Sequence, residues 1–116
     1  AARATEFAGR LDRMTGGELE AIAREWLATV HAPSVVPAHH KRNVRRLEKH
    51  VFPKLGNRPL ADIEPPILLE VLRAVADQAG AETTRRIRTM LSQVWRYAIA
   101  TSRATLNQPS ARWLAI

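Results

Sequence analysis

The sequence has no cysteine among its 116 residues. That excludes a disulfide scaffold, cysteine-ligated zinc and thiol catalysis, and it fits a reducing compartment. Aromatic residues are scarce: three Trp, two Phe and one Tyr. So few are taken up by a core and leave no exposed stacking platform of the kind that binds single-stranded nucleic acid. No apolar run approaches the ~20 residues needed to cross a bilayer as a helix. The stretch Ala1 to Arg10 carries charges where a signal peptide would be apolar. There is no Gly-rich phosphate loop, since Gly16–Gly17 reads only as a turn or helix start. No carboxylate pair stands in a setting that suggests acid–base work. Acidic residues are themselves in short supply. Eleven Asp and Glu against 18 Lys and Arg leave a net charge of +7. On a chain the size of one domain, that excess points to a polyanionic partner, nucleic acid before an anionic membrane surface.

What is present is helical periodicity. Gly and Pro divide the chain into four stretches, and none shows the sustained alternation of a strand. The first runs from about Thr15 to Val30. Thr15 and Glu18 have capping-box spacing, and Leu19, Ile22, Ala23, Trp26, Leu27 and Val30 form its apolar stripe. The segment His31 to Pro37, with two prolines, reads as a loop. The second helix is expected from Pro37 to Phe52, with Val44, Leu47 and Val51 on one face and with Pro53 and Gly56 as its stop. Leu55 to Glu64 is a connector. Pro65 and Pro66 open the third helix, whose stripe is Leu68, Val71, Leu72 and Val75, and Gly80 ends it. The fourth runs from about Glu82 to Thr101 on Ile87, Met90, Leu91, Val94, Trp95 and Ala98. A final turn, Pro109 to Leu114, is placed to dock Trp113 on the bundle or to lead into a following domain. The chain opens on Ala, not Met, and is expected to be a piece of a longer protein.

The positions of the charges sharpen the partner. At 100° per residue, Arg42, Arg46 and Lys49 fall opposite the apolar face of the second helix, with Arg45 on their flank. On the fourth helix, Arg85, Thr89, Ser92 and Arg96 lie opposite the core stripe. Arg88 stands at the border, and Arg86 and Gln93 occupy the other flank. Arg, Thr, Ser and Gln are side chains that hydrogen-bond phosphates and base edges, and the planar Arg fork does so bidentately. The third helix shows Glu70, Arg73 and Asp77 on its outer face, acidic on balance. Helices two and four therefore carry the positive charge and helix three does not, and duplex DNA should meet one side of the bundle.

Several fragments together resemble the central, core-binding domain of phage-type tyrosine recombinases (integrases). They are Glu25-Trp26-Leu27, the run Arg46 to Gly56, Pro59-Leu60-Ala61-Asp62-Ile63, Glu82 to Ile87, Gln93 to Ala100, and Asn107-Gln108-Pro109. The resemblance covers about Glu18 to Leu114; residues 1–14 match nothing in it, and Phe is common where Trp95 stands. It implies an all-α, compact four-helix SAM-like bundle with short flanking segments. Residues 1–14 would be a linker from an upstream domain, 15–114 the core-binding domain, and 115–116 the start of a connection to a catalytic domain. It implies that the domain grips double-stranded DNA at the core of an attachment site, alongside other recombinase protomers in the bacterial cytoplasm. It implies no metal or nucleotide cofactor. The family's contacts from the second and fourth helices fall by position on Arg42, Arg45, Arg46 and Lys49, and on Thr84, Arg85, Arg88, Thr89, Ser92 and Arg96. The catalytic Arg, Lys, His and Tyr of such a recombinase would lie after this segment.

His39-x-x-Arg42 matches the H-x-x-R pattern by which such enzymes bind the scissile phosphate. Here it opens a helix early in the chain with no tyrosine suitably downstream. Tyr97 lies mid-helix beside the core stripe, where packing is its expected role. His39 and His40 are adjacent and cannot share a helix face, and His50 is too distant, so they make a poor metal site. Two other readings share the charge argument: a stand-alone helix-turn-helix regulator, and a basic helical module that meets an acidic protein. The long connector after the second helix counts against the former.

Overall fold

The computed structural model describes residues 17–105, 109 and 110. The expected cap at Thr15, the linker 1–14, Asn107-Gln108, Trp113 and the connection at 115–116 lie outside the described residues. Among the described residues the chain is all-α, with one isolated bridge, Glu18 to Pro59, and no strand. The four long helices are α1 (Leu19–Trp26), α2 (Pro37–His50), α3 (residues 65–79) and α4 (residues 81–100). The last two form one hydrogen-bonded run, Pro65–Ala100, broken at Gly80.

Each helix begins for a local reason. The first N–H groups of α1 have no partner within the helix. Leu19 N donates to the Arg58 carbonyl at 3.0 Å and Glu20 N to that of Gly56 at 2.9 Å. The connector thus caps α1, and Glu18, the N-cap residue, makes no side-chain capping bond. Pro37 and Pro65 open α2 and the α3–α4 run, where the missing N–H costs nothing. Gly80 adopts φ 88, ψ 173, a backbone state essentially reserved for glycine. The α4 end is a Schellman turn. Ser102 N reaches Ile99 O at 3.1 Å, Arg103 N reaches Ala98 O at 2.7 Å, and Ser102 itself stands at φ 62.

The core follows the predicted stripes. Leu19, Ile22, Ala23, Trp26, Leu27, Leu68, Val71, Leu72, Val75, Ile87, Met90, Leu91, Val94, Trp95 and Ala98 are all buried. Three boundaries differ from expectation. The segment His31 to Pro37 is mostly helical: a π-helical turn, Leu27–His31, passes into a short helix, Ala32–Ser34. Pro33 is accommodated there in a first turn. The π turn also swings Val30 off the stripe, leaving it exposed. Finally, α2 ends at His50 rather than Phe52, and Pro53 lies inside a new short helix, Phe52–Leu55, that it helps to start. Gly56 follows as a close approach: a Cβ there would stand 2.6 Å from the Phe52 carbonyl oxygen.

Arg24 fastens α1 to α2. Its guanidinium holds Glu20 and Glu48 at 3.0 Å each and lies over the Phe52 ring. The next residue of α1, Glu25, accepts from the Tyr97 hydroxyl and from both terminal nitrogens of Arg103. Tyr97 therefore packs as expected and also ties α4 to α1. Ser110 is buried and donates to the Ile63 carbonyl, which returns the end of the described chain to the connector.

Candidate nucleic-acid interface

α2 and α4 face each other across a groove of about 740 Å³. It is lined by Trp26, Val30 and His31 from the end of α1 and the turn after it, by His39 and Asn43 from α2, and by Arg85, Arg86, Thr89, Met90, Gln93, Arg96 and Tyr97 from α4.

On α2 the buried face is rotated from the expected one. Asn43, Leu47 and His50 are buried, whereas Val44 is only half-buried. Lys41, Arg42, Arg45 and Lys49 are exposed. Arg46 was expected opposite the core, but the rotation brings it to the margin, half-buried and facing α4. Its Nη1 donates to Asn43 Oδ1 at 2.7 Å. Burial pushes the Arg46 guanidinium below its ordinary range, and the nearby positive charges of Arg86 and Arg42 push the same way, against Glu82. Cations from both helices thus converge.

On α4 the predicted residues divide. Arg85, Thr89 and Arg96 are exposed along the groove wall. Arg88, exposed, and Ser92, half-buried, lie away from it. Thr84 is half-buried and its hydroxyl donates to the Gly80 carbonyl at 2.9 Å, which supports the helix start. Glu82 engages Arg85 at 2.8 Å and Arg86 at 3.0 Å. Hydrogen bonding from Arg85 holds the Glu82 carboxyl below its usual range, with both arginine charges adding to the effect.

The groove also contains residues absent from the expected set. Arg86 and Gln93 line it, and with Thr89 and Met90 they recur at three- and four-residue steps. That spacing is legible in the sequence, but it identifies a stripe without saying which helix will lie beside it. His31 and Asn43 form the second addition. Both are buried, and Asn43 Nδ2 lies 2.9 Å from His31 Nε2. The His31 ring packs on Trp26, His39 and His40 with centroids 5.0, 6.1 and 5.3 Å away. Burial holds His31 below its ordinary value, and the neighbouring His40 and His39 act the same way.

Comparison with known proteins agrees with this architecture. The family model described as phage integrase central domain matches residues 19–115. The prophage integrase IntS of Escherichia coli is 33% identical over 88 residues, which cover 75% of this chain and 22% of that protein. The integrase of Shigella phage Sf6 is also 33% identical over 88 residues, with the same 75% and 22% coverage. The chain thus spans roughly a fifth of the relatives it matches. With its match running from the first residue of α1 through the whole of α4, the chain belongs to the phage integrase central domain family.

Proposed function

We propose that this domain binds double-stranded DNA as the non-catalytic, core-binding part of a site-specific tyrosine recombinase, gripping the core of an attachment site while another domain does the chemistry. The relatives' names as integrases support the setting. The observation that carries the reading is that Arg85, Arg86 and Arg96 line one groove between α2 and α4 and that Arg46, on α2, lies within electrostatic reach of Arg86 and Arg42, while α3 turns Glu70 and Asp77 outward. Arg45 and Lys49 would extend that surface along α2, and Arg88, Ser92 and Thr84, outside the groove itself, would add contacts along α4. Phosphates would be held by the exposed arginines and Lys49. Thr89, Gln93 and Arg96 are of the types that read base edges. Metal and nucleotide cofactors have no part in this role. Other protomers on the same DNA, and the bacterial cytoplasm, complete the proposed context.

The test is a salt titration of duplex binding. With about five phosphates neutralised, log K should fall against log salt with a slope of roughly −4 to −5. Preference for an acidic protein over the duplex at equal ionic strength would instead favour a protein-interaction module.

A further inference from the structure

Three buried or half-buried polar side chains form a line beneath the groove. His31 Nε2 lies 2.9 Å from Asn43 Nδ2, and Asn43 Oδ1 lies 2.7 Å from Arg46 Nη1. The chemistry of the end member orients the whole line. A guanidinium only donates, so the Asn43 atom facing Arg46 must be its carbonyl oxygen. The atom facing His31 is then the amide NH₂, also a donor. His31 Nε2 must accept, which requires the neutral ring with its proton on Nδ1. Were His31 protonated, both its nitrogens would donate. Asn43 could then satisfy His31 or Arg46 with its oxygen, but not both.

We propose that His31 and Asn43 are positioning residues for Arg46: a neutral buried histidine fixes the asparagine amide, and the amide aims the guanidinium at the DNA face. This rests on the DNA-binding reading above. The surroundings of His31 favour the neutral ring. From α2 it meets His39 and His40, from the end of α1 it meets Trp26, and across the groove stand Arg85, Arg86 and Arg96 from α4. None of these supplies the carboxylate that would stabilise an imidazolium. Arg46 gains from such a guide because it lies between the like charges of Arg42 and Arg86 and the opposite charge of Glu82, which pull a long side chain in different directions. Fixing one long side chain before binding spares roughly 0.5–1.5 kcal/mol of ordering, or about a two- to tenfold gain in affinity.

The experiment is a double-mutant cycle on duplex affinity, with histidine nitrogen shifts read by NMR on the same chain. Asn43→Ala should weaken binding about two- to tenfold with Arg46 present and change nothing in an Arg46→Ala background. Asn43→Asp should keep the fold, pair Arg46 outright and weaken binding as well. NMR at pH 7.5 should find His31 as the Nδ1–H tautomer. Equal losses from Asn43→Ala in both backgrounds would overturn the proposal, because Asn43 would then be acting on the fold alone. An Nε2–H tautomer or a protonated His31 would overturn it independently of any DNA. If the tautomer is as stated but Arg46→Ala leaves affinity unchanged, the fault lies in the DNA face, and the aiming role falls with it.

Discussion

Gly80→Ala isolates the one backbone state on which the bundle turns. A Cβ at Gly80 would meet no atom within 4 Å, so the substitution introduces no clash and its cost is conformational. At φ 88, ψ 173 an L-residue costs about 1–3 kcal/mol. The stiffer unfolded chain returns roughly 0.4–1 kcal/mol. The net expectation is a loss of about 1–2 kcal/mol, or a fall in melting temperature of around 5–12 °C. Gly80→Asn should cost about as much, because Asn relieves the left-handed helical region and this ψ lies outside it. Urea unfolding followed by circular dichroism measures both, with a lowered midpoint and an unchanged slope expected. Increased stability and helicity in Gly80→Ala would refute the reasoning. It would mean that residues 65–100 prefer one continuous helix, and α3 and α4 would no longer be separate walls of a bundle.

Acid should weaken the fold in two stages. His31 is held below its ordinary 6.5 by burial, then by His40 and His39, and His50 by burial, then by Lys49 and Lys54. The unfolded chain therefore takes up protons near pH 6.5 that the folded chain refuses, and stability falls as pH drops from there toward the depressed values. A second loss begins below about 4.5, as the hydrogen bonds from Arg103 and Tyr97 that keep the Glu25 carboxylate ionised in the fold give way. Melting curves from pH 8 to 3 should show both declines, and a constant midpoint between pH 7 and 5 would contradict the first. Ser102→Gly should stabilise by roughly 0.5–1 kcal/mol, since it removes a left-handed cost of about 1–2 kcal/mol and adds some backbone entropy in the unfolded chain. Thermal denaturation reads that gain, and a loss would show that the Ser102 side chain has a partner worth more than the strain.

The parts of the fold that were legible are those that local periodicity determines. Stripes such as Leu68-Val71-Leu72-Val75 and Ile87-Leu91-Val94-Ala98 state both the helix and its buried face, and Gly80 marks the break between them. What escaped depends on partners distant in sequence. Asn43 reads as polar surface until His31, twelve residues earlier, arrives to satisfy it, and that burial turns α2 and moves Arg46 from the outer face to the groove margin. Pro33 reads as part of a loop and Pro53 as a stop, yet each sits in the first turn of a short helix, where proline is tolerated. Periodicity puts Arg86 and Gln93 on a flank of α4, but only the approach of α2 makes that flank a groove wall.

The central claim is that DNA meets the α2–α4 side, and Arg96→Glu against Arg73→Glu tests it most directly. Both residues are exposed, and both substitutions change the net charge equally. Arg96 stands on the groove wall of α4, whereas Arg73 lies on α3 beside Glu70 and Asp77 in the outward set. Neither should shift stability by more than about 0.5 kcal/mol. Measured by fluorescence anisotropy on one duplex at low salt, Arg96→Glu should weaken binding about tenfold or more. Arg73→Glu should change it only slightly, and the gap between them should narrow as salt rises. Equal weakening by the two would mean that net charge alone governs binding, and the localised DNA face would be wrong.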